Sequence, residues 1–349
     1  MAKNRLFYLD FVRAIATISI LLTHFNALYL YMNPQMPEKA VITTEVANIY
    51  IGSFGVSLFF IISGAALMYV YQNKDDLKSY FKKRFLSIYP MFWIAYAVVF
   101  VLYLAMGVPI LQQAEPWKFI FTIIGFDGYL LENTRTFYIL GEWFLGCIIL
   151  MYLVFPIIKN GVQKYPKMTA VILLAAGIGS AYFNPTGFPT GKMLLTHLPE
   201  FALGMYFIKY IKSVNLPTFI ISAVVLILNT VLKPEINVHI QTMYVGAASF
   251  FVLVYISRFF TFEASQKACA TISKYSYAIF LVHHVIIAML SGYFNLYTIS
   301  IKESYLLFFV CCCVITVSSW GLFKVDESVR WIFQKMKDRL CRQPSVKTD

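Results

Sequence analysis

The first apolar segment of the chain carries an arginine and a histidine at a spacing suited to chemistry. Arg13 and His24 are eleven residues apart. At 3.6 residues per turn this places both side chains within about 20° on one helix face, about 16 Å apart along the axis. Asp10 lies on the same face, one turn before Arg13. A guanidinium binds carboxylates and phosphates through paired hydrogen bonds, and an imidazole exchanges a proton near neutral pH. These residue types therefore indicate an anion site and a separate proton-transfer site.

Structural alternatives explain the same three residues. Arg13 can extend to the membrane interface while pairing with Asp10, and His24 can be a hydrogen-bonded histidine between helices. Ionisable groups are costly inside a membrane and mark function by default. This argument favours function for His24 and leaves the two alternatives for Asp10 and Arg13 balanced. Asp10 is about 21 Å from His24 along the helix, so it cannot orient that imidazole.

The segments that position these residues are long and apolar. Hydrophobic residues make up 59% of the 349 residues and charged residues only 13%, against about 25% in a soluble domain. We therefore predict an all-α fold, a polytopic membrane helical bundle of about ten transmembrane helices. The predicted spans are 6–31, 45–72, 84–106, 137–158, 168–183, 194–212, 217–232, 239–260, 274–294 and 303–325. Segment 117–131 contains two glycines and an aspartate, and we predict it as one interfacial or re-entrant helix.

The basic residues set the orientation of this bundle. If 117–131 does not cross, 22 lysines and arginines fall on one side and 6 on the other, and the richer side is cytoplasmic. We predict a multi-pass plasma-membrane protein with both termini in the cytoplasm. Its transmembrane domain covers 1–325, and a basic cytoplasmic tail covers 326–349 and suits a helix on the inner leaflet. This distribution explains the net charge of +12 without a nucleic-acid partner.

A basic stretch lies at the predicted cytoplasmic mouth of the bundle. Lys82, Lys83 and Arg84 follow each other there, at the same end as Arg13. Four cations at one mouth suit a polyanionic ligand, because charge-assisted hydrogen bonds are strong. The ordinary positive-inside bias explains the basic stretch almost equally well.

Polar residues also fall in the outer halves of two predicted spans. Glu142 and Trp143 lie there in the fourth span, and His197 and Glu200 lie about one turn apart in the sixth. We expect His24, Glu142, His197 and Glu200 to form one cluster. A satisfied polar network between helices is the equal alternative. No Cys and His residues have the spacing of a zinc site, and no metal is expected.

Motifs in order along the chain resemble those of the membrane acyltransferase-3 family. The Arg–x10–His spacing of the first helix is the most specific of them. Residues 56–64 (VSLFFIISG) are similar to the family's second-helix motif, and residues 82–90 (KKRFLSIYP) to its basic stretch before the third helix. Residues 198–205 (LPEFALGM) and 276–283 (SYAIFLVH) resemble its later motifs. The resemblance covers about residues 5–330 and depends on the order of these motifs.

The resemblance implies an O-acyltransferase with acyl-coenzyme A, usually acetyl-coenzyme A, as the donor. The implied acceptor is a hydroxyl of an extracytoplasmic polysaccharide or lipid-linked sugar. On this basis we expect His24 to act as the general base, with Glu142 or Glu200 orienting its imidazole. The expected donor-binding residues are Asp10, Arg13, Lys82, Lys83, Arg84, Ser63 and Tyr277. The expected acceptor-binding residues are Trp143, His197 and His283.

The chain departs from the family pattern at two places. Paired arginines are common where this chain has Lys82 and Lys83, and lysine lacks the planar fork that binds phosphate through two bonds. The pair His283 and His284 leaves open which histidine fills the family position.

Two other functions remain open. One is an exporter of polysaccharide or lipid-linked sugar that transfers no acyl group, which differs from the enzyme in consuming no coenzyme A thioester. The other is a lipid-modifying acyltransferase of the inner leaflet, which the outer position of His24 disfavours. The oligomeric state is not predicted.

Overall fold

The computed structural model describes residues 6–141 and 143–342, with side chains as far as residue 335. The helices in this part are α1 (Phe7–Leu30), α2 (Ile51–Tyr71), α3 (Leu77–Ala105), α4 (Phe119–Ile124), α5 (Asp127–Leu130), α6 (Trp143–Lys164), α7 (Pro166–Tyr182), α8 (Leu194–Tyr206), α9 (Leu216–Leu232), α10 (Val238–Ile256), α11 (Glu263–Ser291) and α12 (Ile301–Arg342). Short 3-10 helices cover Pro37–Lys39, Ile110–Gln112, Pro116–Lys118, Thr190–Lys192 and Ser257–Phe260. Strands β1 (Glu45–Val46) and β2 (Ile49–Tyr50) form a small antiparallel hairpin. The prediction of a helical fold is confirmed.

Each of the ten predicted spans coincides with a helix. Seven helices in the described ranges are long and apolar enough to cross a membrane: α1, α2, α3, α6, α10, α11 and α12. Helices α7 and α9 are apolar but have 17 residues each. Helix α8 has 13 residues and continues into a π-helical turn, Phe207–Ile211. The chain is therefore a multi-pass helical membrane protein, and the total of ten crossings stays a prediction.

The segment predicted as one helix over 117–131 is broken into α4 and α5. Gly125 ends α4 at φ +76°, a left-handed conformation that glycine adopts without strain. Tyr89 and Trp93, near the middle of α3, donate side-chain hydrogen bonds of 3.0 Å to the carbonyls of the last two residues of α4. The broken segment thus reaches the middle of α3. This position favours the re-entrant alternative over the interfacial one.

Helix α12 runs through the predicted boundary between the membrane domain and the tail. It has 42 residues, which corresponds to about 63 Å, roughly twice the thickness of a hydrocarbon core of ~30 Å. The part of α12 that follows residue 325 is therefore a direct extension of the last span. A separate surface helix over the tail does not form within the described residues, because no break in α12 separates it from the span.

The centre of the bundle is built from α1, α2 and α8. Gly204 of α8 approaches α2 so closely that a Cβ atom there would lie 2.7 Å from the backbone nitrogen of Ala65. Small residues allow such close backbone packing between membrane helices. Helix α1 packs against α2 on one side and α11 on the other. Its polar face therefore borders the space that these helices enclose with α6, α8 and α10.

Candidate active site

A large cavity runs through the bundle beside α1. Its volume is about 680 Å³, within the range of about 300–1,000 Å³ usual for small-molecule sites. Its walls include Arg13, His24 and Tyr31. The eighteen residues from Arg13 to Tyr31 correspond to a rise of about 27 Å along the helix, compared with a hydrocarbon core of ~30 Å. The cavity therefore extends along most of the length of a membrane-spanning helix.

The structure brings most of the predicted site residues to this cavity. Its walls include Arg13, His24, Ser63, Arg84, Trp143, His197, Glu200 and Tyr277. Asp10 is buried away from the cavity, and Lys82 and Lys83 are exposed outside it. His283 lies behind the wall and is 1% exposed. Glu142 lies outside the described residues, so its role stays a prediction.

Arg84 is the residue of the basic stretch that enters the cavity. Its guanidinium lies 5.7 Å from the ring centres of both Tyr71 and Tyr152, within the range of a cation–π interaction. No carboxylate of the described chain forms an ion pair with Arg84, and its buried Nε has no hydrogen-bond partner. A partly buried cation without a counter-charge is costly. This end of the cavity is therefore suited to an anionic ligand.

Tyr277 and Ser63 also border the cavity, and each carries a hydroxyl group. Tyr277 donates its hydroxyl proton to the carbonyl of Ile88 at 3.0 Å. Ser63 is half-buried on α2 and borders the cavity. Since the tyrosine proton is engaged by the backbone, Ser63 is the better placed of the two to donate a hydrogen bond to a ligand.

Three histidine rings meet along the wall formed by α1 and α11. The ring of His24 lies 4.7 Å from that of His283 and 5.2 Å from that of His284, both in edge-on contact. His24 borders the cavity, and no carboxylate among the described residues bonds to it. Its ring is therefore accessible to a ligand hydroxyl, as a general base requires. No group of three or more His, Cys, Asp or Glu side chains in the described part is arranged to hold a metal ion.

The neighbouring histidines of α11 have different surroundings. His283 Nδ1 lies 2.8 Å from the carbonyl oxygen of Phe280 and 3.1 Å from that of Ile279. His284 packs on the backbone of Gly141, where a Cβ atom would lie 2.6 Å from the imidazole. Gly141 also has φ +82°, so both its conformation and the close contact require glycine. The segment before α6 is thereby held against the histidine cluster.

A further histidine of the cavity is paired with a carboxylate. His197 Nδ1 lies 2.5 Å from Glu200 Oε2, and its Nε2 lies 2.9 Å from the carbonyl oxygen of Gly191. Both side chains are buried, and the His197 ring stacks on Phe60 with centroids 4.4 Å apart. Both ring nitrogens therefore face oxygen acceptors. With a hydrogen on each nitrogen, His197 would be an imidazolium beside the Glu200 carboxylate.

This pairing divides the cluster expected from the sequence into two groups. Glu200 bonds to His197, a residue of its own helix, while His24 contacts the histidines of α11. The expectation that Glu200 orients His24 is therefore not supported by the contacts of the described residues. The physical reason is proximity, since residues three apart on a helix are neighbours.

Trp143 begins α6 at one mouth of the cavity. Lys192 Nζ lies 5.9 Å from its ring centre and forms an ion pair of 2.9 Å with Glu132. Tyr31 and Tyr50 border the same cavity. Aromatic rings beside charged groups combine apolar contact with hydrogen bonding. This mouth can therefore hold a ligand with both apolar and polar surface.

Sequence reasoning missed His239, which also borders the cavity. It is the second residue of α10, and its ring lies beside Gly191, where a Cβ atom would be 3.2 Å from it. Like His24, His239 is an ionisable residue within a predicted membrane span. The sequence could therefore have identified it as a candidate site residue. The tyrosines that contact Arg84 leave no such signal, because aromatic residues make up 17% of the chain.

Comparisons with known proteins identify the family of the chain. The acyltransferase-3 family model, described as an acyltransferase domain, matches residues 6–324. The chain is also similar to the acyltransferase MdmB of Streptomyces mycarofaciens, with 28% identity over 190 residues that cover 52% of this chain and 48% of that protein. It thus spans about half the length of this relative. No solved structure matches the chain significantly. Because the family match covers nearly the whole chain, this protein belongs to the acyltransferase-3 family.

Proposed function

We propose that the protein is an O-acyltransferase that carries an acyl group, acetyl in the simplest case, across the plasma membrane. The donor is cytoplasmic acyl-coenzyme A, and the acceptor is a hydroxyl of an extracytoplasmic polysaccharide or lipid-linked sugar. The observation that carries the proposal is the cavity beside α1, which borders Arg13 at one end, His24 further along and Tyr31 at the other end. Family membership and an acyltransferase relative support acyl transfer as the reaction.

The donor is assigned to the end of the cavity that holds Arg13 and Arg84. Both residues border the cavity, and Arg84 has no carboxylate partner in the described chain. The phosphates of coenzyme A bind there through charge-assisted hydrogen bonds. The acyl-pantetheine arm extends from this end toward His24. The excess of lysine and arginine in the loops at this end supports a cytoplasmic location for this end and for both termini.

His24 acts on the acceptor hydroxyl. Its neutral imidazole takes the hydroxyl proton while the oxygen attacks the thioester carbonyl. A carbon–oxygen bond forms, the carbon–sulfur bond breaks, and the proton on His24 passes to the departing thiolate. The products are the O-acylated sugar and free coenzyme A. Ser63 borders the same cavity and is the candidate donor to the carbonyl oxygen, whose negative charge grows during the attack.

The test is acyl transfer by the purified protein in lipid nanodiscs. Acetyl-coenzyme A with a labelled acetyl group is supplied together with a membrane glycan extract from cells that naturally express the protein. We expect free coenzyme A and labelled glycan in equal amounts from the wild type. K78A is the matched control, because Lys78 is an exposed cation of α3 outside the cavity. Glycan transport without thioester consumption would instead identify an exporter.

A further inference from the structure

We infer that His283 is a positioning residue for His24. In this arrangement the Nε2 lone pair of His283 accepts the N–H of His24, which leaves the other nitrogen of His24 free to take a proton. The inference rests on the proposed function and adds to it a residue that touches neither donor nor acceptor. It replaces the sequence-based expectation that His283 binds the acceptor, because the side chain lies behind the cavity wall and is 1% exposed.

The tautomer of His283 follows from its backbone contacts. Its Nδ1 lies within hydrogen-bond distance of the carbonyl oxygens of Phe280 and Ile279. A carbonyl oxygen only accepts, so Nδ1 must carry a hydrogen. A neutral imidazole has one N–H, and Nε2 therefore carries a lone pair. The turn of α11 that precedes His283 thus fixes this ring as a hydrogen-bond acceptor at Nε2.

That acceptor is buried and has no partner within the described residues. His283 Nε2 is shielded from solvent and forms no hydrogen bond with the described residues, a condition that is unfavourable and rare in folded proteins. The His24 ring is its close neighbour at 4.7 Å, whereas the His284 ring is 6.4 Å away. His24 has an N–H to give, and it borders the cavity. A rotation of the His24 ring that completes this bond removes the cost.

The resulting chain of bonds orients the base without a carboxylate from the described residues. The carbonyls of α11 hold Nδ1–H of His283, and Nε2 of His283 holds one N–H of His24. The remaining nitrogen of His24 then faces the cavity with its lone pair. When His24 takes the acceptor proton, its original N–H stays bonded to His283. The role is the one a carboxylate has in triad chemistry, carried here by a neutral imidazole.

The test compares two substitutions that preserve different halves of the His283 ring. In H283N the amide reaches the Nδ1 position, so the bond to α11 remains and the acceptor for His24 is lost. In H283Q the amide reaches the Nε2 position and offers an oxygen to His24. We expect H283N to lower kcat for acetyl transfer by about 10²-fold with KM for acetyl-coenzyme A unchanged, and H283Q to recover most of that loss. Equal kcat values for the two variants would overturn the inference.

A spectroscopic measurement covers the case in which both variants fold poorly. Nitrogen-15 solid-state NMR of the wild type, labelled at histidine in nanodiscs, reports which nitrogen of each imidazole is protonated. The inference requires Nδ1–H at His283, and Nε2–H there would overturn it. The wild type is assayed first. A wild type that transfers no acetyl group contradicts the proposed function, whereas an active wild type with a fully active H283N contradicts this inference alone.

Discussion

His24 and His197 border the same cavity, but their surroundings differ in charge. His197 lies between the Glu200 carboxylate and the carbonyl of Gly191, so both of its nitrogens are engaged. His24 contacts other imidazole rings and no carboxylate of the described chain. One histidine is held as part of a buried ion pair. The other keeps an accessible ring and has no counter-charge from the described residues.

We propose that this difference separates a structural histidine from the base of the reaction. Both ring nitrogens of His197 are engaged by oxygen atoms, so neither is free to take a proton from a substrate. Its pairing ties α8 to the loop that contains Gly191. His24 meets the conditions for a general base, because a neutral ring that borders the cavity can reach a substrate hydroxyl. A nearby carboxylate therefore does not by itself identify the base in this family member.

The largest effect is expected at His24. Glutamine keeps the approximate size and polarity of histidine but does not take up a proton, so H24Q should lower kcat for acetyl transfer by about 10²–10⁴-fold. KM for acetyl-coenzyme A should stay within about twofold of the wild-type value, because we assign the donor to the end of the cavity that holds Arg13 and Arg84. Initial rates with labelled acetyl-coenzyme A check both values. Full activity in H24Q together with an inactive H197Q would reverse the roles of the two histidines.

The ion pair at His197 should affect stability. Truncation in E200A leaves a buried imidazolium without its counter-charge, and removing one partner of a buried pair costs about 3–5 kcal/mol. The temperature of unfolding in detergent should therefore fall clearly. The double variant H197L/E200L should recover much of the loss, because no charge is left buried. Unchanged unfolding of E200A would show that the pair is not ionic.

A smaller effect is expected at the end of the cavity that holds Arg13 and Arg84. There, the substitution of a residue in the cavity wall can be compared with substitutions of its exposed neighbours. Loss of one charge-assisted hydrogen bond of about 1.5 kcal/mol raises KM for acetyl-coenzyme A about tenfold in R84A. K82A and K83A should change it by less than about twofold, because both side chains lie outside the cavity and exposed charges are screened by salt. Equal effects of all three substitutions would indicate general attraction by the basic stretch.

The smallest effect is expected at an ion pair that is open to solvent. Lys192 and Glu132 lie 2.9 Å apart, but the Glu132 side chain is 52% exposed. Exposed pairs contribute about 0–1 kcal/mol. The unfolding temperature of E132A should therefore stay close to that of the wild type, in contrast to E200A. A loss as large as that of E200A would show that the outer loops depend on this contact.

Hydropathy predicted much of the fold, whereas the orientation taken from the positive-inside rule stays a prediction. Ten apolar runs coincide with ten helices, because a span must be long and apolar and must satisfy its own backbone. The break at Gly125 and the contact of α4 with α3 were not predictable at this detail. They depend on hydrogen bonds from Tyr89 and Trp93 to a segment about thirty residues later, and such pairing leaves no local pattern.

The candidate site was predictable in its residues but not in its partners. The spacing on one helix placed Arg13 and His24 on a common face, and both border the cavity. The pairing of Glu200 with His197 could have been predicted from the sequence, because the two residues are three positions apart on one helix. The contact of His24 with His283 was not, because it joins the first helix to the eleventh. Tertiary packing alone decides such contacts.

The most direct test of the account is the sidedness of the reaction. Membrane vesicles from cells that carry the natural acceptor are prepared inside-out and right-side-out, with either the wild type or H24Q. Labelled acetyl-coenzyme A, which does not cross the bilayer, is added outside. The account predicts labelled glycan within the lumen of inside-out wild-type vesicles, and almost none with H24Q or in right-side-out vesicles. Labelling that is confined to right-side-out vesicles, or undiminished with H24Q, would contradict it.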